Sequence, residues 1–231
     1  MDDLALLRLE QATLWASDGD GRLLHCRTGA AEPPPRLVVG GCGLGLAWAC
    51  AADVPSSVVD SVGQLLAPEP SAERVGWAPA EADAVLQAVA AVGDLAPPHG
   101  GPSFVVDGPV PSPTGVDVRT SEEVDEDAHS GLLPATDRPL TTPWAVAVVE
   151  GRVAAVCETA RSAPTSVEAG VWTYAPYRRR GLAAAVTAAW SALVTDRTAF
   201  YSTSWDNLAS QGVARRLALR PIGHWWQVSA A

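Results

Sequence analysis

A chain of 231 residues is long enough for one large domain or two small ones, and 48% hydrophobic against 18% charged residues permits a sizeable core. A net charge of −10 argues against a general role on nucleic acid or anionic membrane, because a uniformly acidic surface repels polyanions. An acidic face mildly favours a cationic substrate such as an amine.

Targeting and redox chemistry are equally plain. Asp2 and Asp3 stand where a secretion signal would carry positive charge. The longest uncharged apolar run, Leu37 to Ala52, is 16 residues broken by four glycines. A membrane helix needs about 20, so the run reads as paired strands. Cys26, Cys42, Cys50 and Cys157 form no CxxC pair and the four histidines are scattered. The expectation is a cytoplasmic protein with reduced, mostly buried thiols and no metal.

In chain order, Asp2 to Trp15 places Leu4, Leu7, Leu14 and Trp15 on one helical side. Asp18-Gly19-Asp20-Gly21 is a turn before a strand at 22–27. Strands follow at 36–39 and 44–50, then helices at 56–66 and 79–92. Gly40-Gly41-Cys42-Gly43-Leu44-Gly45 has the look of a nucleotide loop but lacks a following periodic helix. Residues 93–115 hold six prolines and five glycines around Phe104–Val106, and mark the domain boundary. The division expected is an N-terminal α/β accessory domain, 1–100, and a second domain, 115–231.

Beyond the boundary the pattern predicts a strand at 116–119, an acidic helix from Ser121 to about Gly131, and a hairpin of 144–149 with 152–157 about Glu150-Gly151. A strand at 166–173 leads to a helix from about Gly181 to Val194, then a strand at 199–204, a helix at 207–217 and a strand at 222–228. This is an α/β sandwich around a mixed sheet. Adjacent Trp225 and Trp226 point to opposite faces of a regular strand, so one should face outward. That outward ring is a candidate oligomer contact, which keeps a homodimer open.

The chemistry sits between the strand ending at Thr173 and the helix near Gly181. A helix start offers unpaired N–H groups and partial positive charge, which suit a phosphate. Gly181 allows close approach, Ala183 keeps the first turn uncrowded, and Arg178, Arg179 and Arg180 complement a diphosphate.

The run Val171-Trp172-Thr173-Tyr174-Ala175-Pro176-Tyr177-Arg178-Arg179-Arg180-Gly181-Leu182-Ala183 resembles the central signature of the GNAT superfamily of N-acetyltransferases. Arg178, Gly181 and Ala183 fall at the Arg/Gln-x-x-Gly-x-Gly/Ala positions. Downstream, Tyr201–Ser210 resembles that superfamily's fifth strand and Asn-x-x-Ser helix start, and Arg216-Leu217-Ala218-Leu219 sits where members often read Lys-Leu-Gly-Phe. The resemblance covers about 115–231. It implies a mostly antiparallel central sheet flanked by helices, with the N-terminal part as a degenerate unit of similar type.

The resemblance also implies acetyl transfer from acetyl-CoA to a small-molecule or peptide amine, by direct attack on the thioester. The main chain of Val171, Trp172 and Thr173 would pair with pantetheine amides. The N–H groups from Arg179 through Gly181, Leu182 and Ala183 to Ala184 would hold the pyrophosphate, with Arg178 and Arg180 beside them. Asn207 and Ser210 would contact the lower arm. A backbone N–H near Val171 would receive the developing oxyanion. Glu168 is the first candidate for general base and Glu158 the reserve. Many members carry a tyrosine seven residues after the Asn, able to protonate the thiolate; here that position is Ala214, with Tyr201 and Ser210 as candidate substitutes. The alternative is a catalytically impaired acyl-CoA sensor or scaffold of the same fold.

Overall fold

The computed structural model describes residues 1–28, 32–67, 78–79, 81–111, 115–123 and 140–231. The chain forms two compact units interleaved in sequence. One comprises Met1–Ser103, Ser202–Asn207 and Pro221–Ala231, the other Phe104–Tyr201 and Leu208–Arg220. Residues 202–207 and 221–231 are thus grouped with the first unit although they follow the second in sequence.

In the first unit, helix α1 (Asp3–Leu14) starts at Asp2, whose carboxylate accepts the Ala5 N–H at 2.8 Å. Strands β1 (Trp15–Ser17) and β2 (Leu23–Cys26) pair antiparallel about a turn held by Asp18, which accepts the N–H groups of Asp20 and Arg22. The glycine-rich segment is a hairpin of β3 (Leu37–Cys42) and β4 (Gly45–Cys50), not a phosphate loop. Helices α2 (Ser56–Leu66) and α3 (Ala82–Ala90) follow. Strands β5 (His99–Val106) and β11 (Arg220–Val228) complete the strand order β4-β3-β11-β5.

Both faces of β11 are covered, which corrects the expectation of an outward tryptophan. Trp226 packs with Leu37, Val39, Val62 and Val85. Trp225 meets Trp15 edge to face, with centroids 5.5 Å apart, and its Nε1 donates to Glu10 Oε2 at 2.8 Å. Ser103 Oγ donates to the same oxygen at 2.5 Å, so a wholly buried carboxylate ties α1, β5 and β11 together. A periodicity reading sees one inward face per strand and misses a sheet covered on two sides.

Strand β5 begins at His99, inside the stretch that composition marks as boundary. A Cβ on Gly100 would stand 1.9 Å from the Trp225 carbonyl oxygen, so these glycines serve close backbone approach rather than a linker. Gly100→Ala is therefore expected to destabilise the protein by about 3 kcal/mol through forced overpacking. An unchanged urea midpoint would contradict this.

In the second unit β6 (Asp117–Thr120), β7 (Trp144–Val149), β8 (Arg152–Ala163), β9 (Ser166–Thr173) and β10 (Thr198–Ser202) lie in the order β10-β9-β8-β7-β6. Every pair is antiparallel except β9 with β10. Positive φ at Glu150 (52°) and Gly151 (73°) makes the tight turn of the β7–β8 hairpin. Strand β8 runs six residues past the expected Cys157, carried across a bulge between Thr159 and Arg161. Helices α4 (Leu182–Leu193) and α5 (Leu208–Arg216) pack on this sheet. Small residues face each other there: Ala145, Ala147 and Ala155 on strands, Ala184 and Ala188 on α4. Trp190 fills the remaining depth, its Nε1 donating to Thr159 Oγ1 at 3.1 Å.

The expected architecture, α/β with a mixed, mostly antiparallel sheet flanked by helices, is therefore present. Ser121–Glu123 form a turn, and the rest of the acidic helix expected there lies outside the described residues. All four cysteines are free thiols. Among the described residues no helix is long and apolar enough to cross a membrane, and no cluster has metal-ligand composition.

Candidate active site

The site is built on the segment joining β9 to α4. A short 3-10 turn, Ala175–Tyr177, turns the chain after the strand, with Pro176 in its first positions. Arg179 (φ 63°) and Gly181 (φ 78°) then take left-handed conformations. Gly181 is the N-cap, and no side chain caps this helix. Its carbonyl accepts the Ala185 N–H at 3.2 Å, so the N–H groups of Leu182, Ala183 and Ala184 occupy the turn that a helix leaves without internal acceptors. Leu182 and Ala184 are buried in the core.

The three loop arginines are exposed. Arg178 Nε donates to the Thr173 carbonyl at 3.2 Å, which ties the loop to the strand end, and the Arg180 guanidinium lies 6.0 Å from the Tyr177 ring centroid. Among the described residues none of the three pairs with a carboxylate. A fourth cation, missed in the sequence, joins them. The guanidinium of Arg216, in the last turn of α5, lies 3.2–3.4 Å from where a Cβ on Gly181 would stand. Arg216 was legible as part of a family-like tetrapeptide, but only the packing of α5 brings it to this helix start. The uncapped helix start and these cations form a positively charged cluster on an otherwise acidic chain.

Strand β9 leads directly to that cluster and, beyond Glu168, is open on one side among the described residues. It pairs with β10 only through Ser166–Glu168 opposite Thr198–Phe200. From Ala169 to Thr173 it pairs with β8 alone among the described residues, and each of those residues is half-buried. Two parallel strands thus meet at Glu168 and Phe200 and then part, leaving main-chain groups of Val171, Trp172 and Thr173 along an open edge. The Thr173 carbonyl is partly engaged by Arg178.

Residues on the two faces at this fork differ in character. Val167, Ala169 and Val171 pack on the helix side, so strand alternation puts Glu168, Gly170 and Trp172 on the other. Glu168 is 2% exposed. Glu158 stands opposite Gly170 on the same face, 1% exposed, and its Oε2 accepts the Thr141 N–H at 2.7 Å. That bond gives Glu158 a structural task, holding the segment before β7.

On the helix face, Tyr201 is the first residue of β10 beyond its last pair with β9. It is buried, and its hydroxyl lies 2.6 Å from Ser210 Oγ on α5. Ala214, wholly buried in the same cluster, supplies no hydroxyl. Asn207 directly precedes α5 but is grouped with the first unit, its N–H donating to the Ser204 carbonyl at 3.2 Å. Burial pushes the Tyr201 phenol up to about 12, against a partial lowering by Ser210. Its unfolded value is about 10. The stabilisation is complete below pH 10 and is lost as pH rises toward 12, because the unfolded chain ionises first. Unfolding midpoints from pH 9 to 12 are expected to fall less steeply in Tyr201→Phe than in the wild type; equal slopes would contradict the burial of this hydroxyl.

No family model matches the chain, and no curated protein does. Among solved structures it is similar to a GNAT-family acetyltransferase from Novosphingobium aromaticivorans, with 18% identity, TM-score 0.41, and 59% of this chain and 67% of that one covered. It is also similar to a GCN5-related N-acetyltransferase from Kribbella flavida (18%, TM-score 0.44, 63% of each chain). A GCN5-related N-acetyltransferase-like protein from Streptococcus suis matches over 85% of this chain and 84% of that one (14%, TM-score 0.46). The chain thus spans about two thirds of the first two. These names belong to the superfamily that residues 171–183 resemble; at such identities and TM-scores the functional reading rests on this chain's own residues.

Proposed function

We propose that this chain is an acetyl-CoA-dependent N-acetyltransferase acting on a primary amine of a small molecule or peptide. The observation that carries the reading is the continuity of β9. Its open edge, Ala169–Thr173, runs straight into an uncapped helix start ringed by Arg178, Arg179, Arg180 and Arg216. An extended amide-bearing arm ending in a diphosphate matches that sequence of features: strand-like hydrogen bonding first, an anion cradle next.

In this reading the main chain of Val171, Trp172 and Thr173 holds the pantetheine, and the N–H groups from Arg179 to Ala184 hold the diphosphate. The thioester lies at the fork. The acceptor nitrogen approaches from the Glu168 face, Glu168 takes its proton directly or through water, and a β9 N–H near Val171 stabilises the oxyanion. The expected result is release of free thiol from acetyl-CoA when a panel of primary amines is added. Coenzyme binding without turnover on any amine would favour the sensor reading instead.

A further inference from the structure

A regular continuation of the β8–β9 ladder from Thr159 opposite Ala169 would set Ala160 opposite Glu168. The bulge inserts one residue, and Arg161 takes that place instead. Gly170 leaves room for the insertion, since a Cβ there would stand 2.8 Å from the Ala160 Cβ. Paired residues of neighbouring strands share a face, so Arg161 lies beside Glu168 on the face away from the helices. Wholly buried Phe200 flanks Glu168 from β10 and completes a row across three strands. Arg161 is half-buried, and its Nε is shielded from solvent with no hydrogen-bond partner. Among the described residues it forms no ion pair. A buried guanidinium nitrogen in that state is costly, and an acceptor that arrives with a ligand removes the cost.

We infer that the acceptor is an α-amino acid, whose carboxylate pairs with Arg161 while its amino group faces Glu168. This rests on the acetyl-CoA reading above and narrows its acceptor. In an α-amino acid one carbon separates the nitrogen from the carboxylate, so the groups that receive them must be neighbours. Opposed side chains of an antiparallel ladder have Cβ atoms about 4.5–5.5 Å apart, which meets that demand. The Nε–Nη edge of a guanidinium matches the two oxygens of a carboxylate. Beside Glu168, on a chain of net charge −10, an anionic acceptor is repelled unless such a cation receives it. A peptide amino terminus presents a neutral amide carbonyl at the same place and makes no use of the charge. The carboxylate makes and breaks no bond in the transfer; Arg161 determines which amine is accepted.

The test is thiol release from acetyl-CoA with the common α-amino acids, each beside its own primary amide, using wild type, Arg161→Met and Arg161→Lys. Methionine keeps the packing of the stem and removes the charge. The wild type is expected to prefer the best amino acid over its amide by about 10- to 100-fold in kcat/KM, the range for one hydrogen-bonded charge pair. That preference should vanish in Arg161→Met, through KM rather than kcat, and survive in part in Arg161→Lys. Calorimetry should find the Kd for acetyl-CoA unchanged in both. Equal kcat/KM for acid and amide in the wild type would overturn the assignment, and this arm requires no variant to fold. A preference left intact in Arg161→Met would also overturn it, because the guanidinium would then serve only to reach solvent. If acetyl-CoA does not bind, or no amine is turned over, the enzyme reading fails and takes this one with it. Turnover of amides as good as that of amino acids removes only the amino-acid assignment.

Discussion

Gly181→Glu is expected to lower acetyl-CoA affinity about 100-fold while leaving the protein folded. Two effects add. Gly181 has φ 78°, a left-handed conformation that costs an L-residue about 1–2 kcal/mol. The introduced carboxylate would also stand at the helix start, facing the diphosphate. A like-charge contact near 4 Å at a protein surface is worth about 4 kcal/mol before salt screening, so a loss of 2–3 kcal/mol is a reasonable net value. Arg216, 3.2 Å from the new Cβ, would pair with the glutamate and be withdrawn from the anion as well. Gly181→Ala separates the two effects, since it adds the backbone strain without the charge. Calorimetric titration of both variants checks this, and wild-type affinity in Gly181→Glu would remove the diphosphate assignment.

Glu168→Gln carries the second large expectation: a fall of 10²-fold or more in kcat with coenzyme affinity preserved, the size expected for loss of a general base. The residue is almost wholly buried at the point where β9 and β10 part, on the face opposite the helices. Gln keeps the shape and one acceptor but cannot take a proton. Glu158→Gln should instead act through the segment that its Oε2 holds by the Thr141 N–H, lowering stability more than turnover. Unchanged turnover in Glu168→Gln would rule that residue out as the base.

The contrast between these carboxylates marks how far the sequence could be read. The loop at Arg178–Gly181, the helix after it and the strands around it are set by local chemistry: a glycine at positive φ, an alanine-rich helical period, alternating apolar strands. Such features are legible in one dimension. The separate roles of Glu158 and Glu168 depend on what lies across the sheet, and only the register Glu158 opposite Gly170 puts them on one face.

Long-range features were hidden for the same reason. Arg216 reaches Gly181 because α5 packs beside α4. Tyr201 meets Ser210 across a strand-to-helix connection. Glu10, 93 residues from Ser103 and 215 from Trp225, gives no local sign that it will be their shared acceptor. The glycines at 100 and 101 misled in the opposite direction. They read as a linker, while the structure uses their missing side chains for close backbone contact. Composition sees the glycine but not the neighbour that requires it.

The most direct measurement of the central claim is the unfolding temperature of the wild-type chain titrated with acetyl-CoA. A ligand bound only by the folded state at 100 times its Kd adds about 2.7 kcal/mol. For a chain of this size that is roughly 5–10 °C in Tm. A rise of that size is expected, saturating with ligand and absent in Gly181→Glu. A wild-type Tm that stays flat at millimolar acetyl-CoA would contradict it.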